Sequence, residues 1–120
     1  MLNLDTHIAV ALLDGSLNDK ELELISNQPL AISDIVLWEI AKLRQLKRLV
    51  LDVESAEFRE FVRAVTIIPL NWEIARISTQ LDIQSDPADE IIAATSVVEQ
   101  IPLLTRDKTL LRSKRVPLAG

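Results

Sequence analysis

The chain has 120 residues, enough for one compact domain over 1–120, and 48% of them are hydrophobic, enough for a core. Its net charge of −5, from 13 basic and 18 acidic residues, argues against a protein that grips nucleic acid by bulk positive charge. The absence of Cys excludes disulfides and thiolate metal sites, and a single histidine, His7, leaves no material for a His-rich metal site. No apolar run approaches the roughly 20 residues of a membrane span, and the opening MLNLDTH lacks the marks of a signal peptide. The expected address is cytoplasmic, with no membrane partner.

Taken in chain order, residues 2–5 form a short apolar run ending in an acid, which predicts a strand. Residues 7–13 predict a helix that stops at the turn signal Asp14-Gly15. Asn18 or Asp19 can cap a second helix reaching Ser26. A strand follows over 30–33, a helix over 35–47, another over 55–65, and a β-branched strand over 66–69. Asn71 can cap a helix running to about Ile83, and Asp86-Pro87 opens one that ends near Gln100. The end of the chain reads as a strand over 102–105, a short helix over 107–112 and an edge strand over 116–118. Strands alternating with helices predict an α/β fold: a three-layer α/β/α sandwich with a central, mainly parallel sheet. In such sheets, ligands bind beyond the carboxyl ends of the strands.

Four acids fall where an acid is costly. Asp5 and Asp107 each follow a predicted strand, and for each the alternative is an ordinary helix N-cap. Glu39 falls within the apolar stripe Val36, Ile40, Leu43, Leu46 of its helix, at roughly 100° per residue. A carboxylate facing a core needs a partner or a metal. Asp89 sits in the first turn of a helix that is apolar nearly all round, while Asp86 reads chiefly as that helix's cap. If Asp5, Glu39, Asp89 and Asp107 met, each pair at about 5 Å would repel by roughly 3 kcal/mol at an effective dielectric of about 20, so a cation or protons would be needed. An all-oxygen donor set suits Mg2+ or Mn2+.

The segments LNLDTH, SDIVLWEIAKL, DPADEIIAATS and LLTRDKTL, in this order and spacing, resemble the successive signatures of PIN domains. Within that family the likeness is to VapC-type toxins of bacterial toxin–antitoxin pairs, and it runs from about Leu2 to Leu118. The resemblance implies that Asp5, Glu39, Asp89 and Asp107 hold one or two Mg2+ or Mn2+ ions for hydrolysis of RNA. It implies that Thr6 and Thr105 support these acids, with Ser33, just before the second motif, helping similarly; Asp86, chiefly a cap, is the other candidate for an outer supporting role. It also implies an RNA substrate, a VapB-like antitoxin and a homodimer. For Thr6, Ser33 and Thr105, ordinary strand-end and turn chemistry remains an equal reading.

Departures from the pattern are Glu90, where similar proteins often carry Arg, and Ala11, where Trp is common. His7 matches the DTH motif and is expected to pack or hydrogen-bond beside the site rather than ligate. Trp38 is expected opposite the apolar stripe, free for a neighbour or partner. Lys42, Arg44, Lys47 and Arg48 form a basic face that is either solvated or guides an RNA backbone. The competing readings are a PIN domain that binds without cleaving and a phospho-acceptor domain of receiver type. The latter lacks the expected adjacent acids, since Thr6 follows Asp5.

Overall fold

The computed structural model describes residues 1–52 and 54–120. The chain forms β1 (Leu2–Leu4), α1 (Thr6–Asp14), α2 (Asp19–Ser26), β2 (Leu30–Ser33), α3 (Asp34–Gln45) and α4 (Ala56–Ala64). It continues through β3 (Thr66–Ile68), α5 (Trp72–Ser78), α6 (Pro87–Glu99), β4 (Leu103–Leu104) and α7 (Lys108–Leu111). The four strands lie in the order β3-β2-β1-β4, and every pairing is parallel. Leu2 pairs with Leu30, Leu4 with Leu104 and Ser33 with Ile68. All four carboxyl ends therefore share one edge.

Side chains alternate across the strands. Leu2, Leu4 and Ile32 join Ile8, Ile40, Phe61 and Leu110 in the larger core cluster. Ala31 and Ile68 meet Ile74, Ile77 and Ala94 in the smaller one. Helices thus cover both faces, as the alternation of elements predicts. Among the described residues no helix is long and apolar enough to cross a membrane.

Local chemistry sets most boundaries. Gly15 takes the left-handed conformation (φ 77°) that closes α1. Asn18 and Glu21 form a reciprocal capping box at the start of α2. Pro87 opens α6 in its first turn.

Three elements differ from expectation. Helix α3 ends at Gln45 because Lys47 turns left-handed (φ 58°) and the Arg48 N–H bonds the Leu43 carbonyl at 2.9 Å. Leu46 is consequently 55% exposed, so the apolar stripe stops earlier than its periodicity predicts. Helix α5 ends at Ser78, not near Ile83. The Ser78 and Thr79 hydroxyls bond the Ala75 and Arg76 carbonyls, and Gln80 and Asp82 then find partners in Arg115 and Ser113. The expected last strand is a single bridge between Leu103 and Leu118, where Pro117 has no N–H to extend a ladder.

Candidate active site

Asp5 follows β1, the strand flanked by β2 and β4, and is 2% exposed. Its Oδ1 accepts the Thr6 N–H at 2.8 Å and its Oδ2 accepts the Thr105 hydroxyl at 2.6 Å. Asp5 is therefore a helix cap and a shared acceptor at once. The Thr105 oxygen also accepts the Asp107 N–H at 3.0 Å, so one hydroxyl joins the ends of β1 and β4. The Asp107 carboxylate caps α7 through the Leu110 N–H at 3.0 Å.

Glu39 arrives from α3 half-buried, and its Oε1 accepts the Thr6 hydroxyl at 2.5 Å. Asp89 stands in the first turn of α6, also half-buried, and accepts the Ser85 hydroxyl at 3.1 Å. Burial, then the neighbouring Asp5 carboxylate, pushes the Asp89 carboxyl up to about 6. The Ser85 hydrogen bond opposes that rise, while Glu39 and Asp107 add to it. Three other predicted acids thus act on Asp89 at the carboxyl edge of the sheet.

The supporting residues divide. Thr6 and Thr105 bond directly to the acids, as above. Ser33 is buried but its hydroxyl caps α3 through the Ile35 N–H at 3.4 Å. Asp86 takes the N-cap position of α6, yet its side chain makes no capping hydrogen bond and is exposed. The expected capping bond is therefore absent at Asp86, and Glu90 instead accepts the Ser85 N–H at 3.3 Å. Exposed His7 lines a cleft of about 370 Å³ with Val10, Asp14, Ser16, Arg106 and Asp107.

Sequence reasoning missed Ser85, four residues ahead of Asp89. It also missed the pair formed by Arg106 with Glu21, which is buried on α2. Arg106 donates to both Glu21 carboxylate oxygens, at 2.8 and 2.7 Å, and to the Ser16 carbonyl at 3.2 Å. This clasp holds the residue next to Asp107 against the α1–α2 turn, and Arg106 keeps the Glu21 carboxyl below its ordinary range.

A family profile described as PIN domain matches residues 3–116. The chain belongs to the PIN-domain family. The receiver-type alternative falls with that match. No curated protein matches the chain in sequence. Among solved structures, this PIN domain resembles VapBC2 from Rickettsia felis bound to a promoter DNA fragment. The TM-score is 0.74 at 23% identity, covering 99% of this chain and 98% of the other. It also resembles a toxin–antitoxin complex from Klebsiella pneumoniae (0.75, 21% identity, 99% and 97% covered) and FitAcB from Neisseria gonorrhoeae (0.70, 21%, 100% and 97%). These likenesses establish the fold.

PIN-domain nucleases generally use divalent metals. The donor chemistry here fits a hard cation: carboxylates and hydroxyls only, with one acid, Asp89, driven toward protonation by burial and then by the Asp5 carboxylate. As the side chains stand, no three Asp, Glu or His among the described residues converge enough to hold an ion. Asp5, Glu39 and Asp107 are each turned to protein donors.

Proposed function

We propose that this PIN domain is a VapC-type endoribonuclease that hydrolyses RNA phosphodiester bonds with Mg2+ or Mn2+. The observation that supports this reading is that Asp5 and Asp107 follow neighbouring parallel strands and are joined through Thr105, while Glu39 is joined to the same edge through Thr6 and Asp89 opens α6 nearby. Nuclease activity is general in the family, and the order of acids in this chain matches its pattern.

Asp5, Glu39, Asp89 and Asp107 would hold the metal. When bound, a divalent cation supplies positive charge that activates water and stabilises a phosphoryl transition state. The chain's own residues prepare that function. Thr105 and the Thr6 N–H fix the Asp5 carboxylate, and the Thr6 hydroxyl fixes Glu39. Such outer partners orient ligands and tune their affinity. Ser85 holds Asp89 through its hydroxyl.

The partners follow from the same reading: an RNA substrate, a VapB-like antitoxin that blocks the acidic edge, and a second copy of the chain. The toxin–antitoxin complexes among the structural relatives support the antitoxin. Exposed Trp38, Leu70 and Trp72 offer apolar surface for the second copy. A cytoplasmic address accords with an RNA target.

A second reading, a PIN domain that binds without cleaving, draws on Glu90, which adds a fifth carboxylate beside Asp89. One assay separates the two. The purified chain is incubated with pooled cellular RNA in Mg2+ or Mn2+, with and without EDTA. Cleavage that EDTA abolishes supports the nuclease. Metal uptake by the folded chain without cleavage supports the binding module.

A further inference from the structure

Asn3 lies in the middle of β1 and is fully buried. Alternation along the strand places it on the same face as Asp5. Its amide nitrogen donates to the Ile92 carbonyl at 3.2 Å and to the Ser96 hydroxyl at 2.9 Å. The two acceptors are one helical turn apart on α6. Asp89 stands a further turn toward the start of the same helix.

Apolar packing also holds α6: Ile92 and Ala93 lie in the larger core and Ala94 in the smaller one, with Ile91, Val97 and Val98 packed against them. Its buried face carries Ala88, Ala93, Ala94 and Ser96 alongside Ile92. Hydrophobic burial has no direction, whereas a hydrogen bond does. Thr95 spends its hydroxyl on its own helix, at the Ile91 carbonyl. Among the described residues, the side-chain hydrogen bonds from the sheet to α6 come from Asn3.

Asn3 is a poor choice for stability alone. Its Oδ1 is buried without a hydrogen-bond partner among the described residues, which costs stability. Leucine has nearly the same shape and would leave no such atom. Ser96, deprived of Asn3, can return its hydroxyl to the Ile92 carbonyl one turn back.

We propose that Asn3 is a positioning residue for the acidic site. Its amide, bonded to Ile92 and Ser96, sets the register of α6 against β1 and so places Asp89 relative to Asp5. The inference concerns placement; its metal readout rests on the reading under Proposed function.

The test compares the full chain with Asn3→Leu and Ser96→Ala. Urea unfolding reports stability, and Mn2+ uptake is followed by the loss of the free-ion electron paramagnetic resonance signal. Asn3→Leu is expected to match or exceed the parent midpoint while binding Mn2+ about 10-fold or more weakly. Ser96→Ala, which removes one of the two bonds, is expected to weaken Mn2+ binding less. Unchanged affinity in Asn3→Leu overturns the proposal, as does a loss of affinity that merely tracks a loss of stability. If the parent chain itself takes up no Mn2+, the metal reading fails separately. The positioning role is then judged from crystal structures of parent and Asn3→Leu chains. A shift of α6 that changes the Asp5–Asp89 spacing supports it, and an unchanged spacing overturns it.

Discussion

Thr105 donates its hydroxyl to the buried Asp5 carboxylate at 2.6 Å, across 100 positions of sequence. The bond ties β1 to β4 at the carboxyl ends of the two strands. Thr105→Val keeps the shape but removes both the donor to the buried Asp5 carboxylate and the acceptor of the Asp107 N–H. The expected loss is about 1–3 kcal/mol in urea unfolding. An unchanged midpoint would show that Asp5 gains nothing from Thr105.

Asp89 predicts an unusual response to acid. Its carboxyl rises from 3.8 to about 6 on folding, so the folded state holds this proton more tightly than the unfolded chain does. Above about pH 6 the ionised group destabilises the fold. That penalty shrinks as pH falls through 6 and disappears below 3.8. Asp89→Asn should therefore stabilise the metal-free chain at pH 8 by about 1–2 kcal/mol, after allowance for solvent screening of a half-buried group. The advantage should fade by pH 4. Midpoints measured at pH 8, 6 and 4 without divalent ions test this, and a gap that ignores pH contradicts it.

The Glu21–Arg106 clasp behaves in the opposite sense. Arg106 lowers the Glu21 carboxyl from its ordinary 4.5, so the stabilisation is present above that value and is lost as pH falls through the lower folded value. Arg106→Met leaves the Glu21 carboxylate buried with its capping bond from Asn18. The expected cost at pH 7 is about 1–3 kcal/mol, between that of an exposed and a buried pair. Thermal unfolding of both chains should show the difference closing in acid.

Glu39→Gln preserves an oxygen for the Thr6 hydroxyl but removes a charge. Stability should change by less than about 1 kcal/mol, since the hydrogen bond survives. Cleavage of RNA should fall by about 100-fold or more, the scale on which removing one stabilising group acts. Full activity in Glu39→Gln would remove this residue from the site.

Much of the architecture was legible because its punctuation is local. Asn18, Asn71 and the Asp86-Pro87 pair mark helix starts within a few residues, although Asp86 itself makes no capping bond. Helix ends were harder. Residues 79–83 continue a helical pattern, but Asp82 is taken by Ser113 and Lys114, 31 and 32 positions away. The four acids stand out in the sequence through their motifs, and the fold places Asp5 and Asp107 after neighbouring strands. The supports of the acids were less legible: Asn3 reads as part of an apolar strand, and nothing near it in sequence reveals Ile92 or Ser96. Glu21 completes a local capping box with Asn18, while its second partner lies 85 positions on. Local hydrogen bonding is written within a few residues, whereas partners across the fold depend on packing that one segment does not encode.

The central claim, a metal-dependent nuclease built on these acids, is tested most directly by RNA cleavage. Parent and Asp5→Asn chains, purified identically, are compared with Mg2+ or Mn2+ on the same RNA. Cleavage by the parent, lost in Asp5→Asn although that chain remains folded, is the predicted result. Equal cleavage by both chains would contradict the site, and no cleavage by a folded, metal-binding parent would contradict the nuclease.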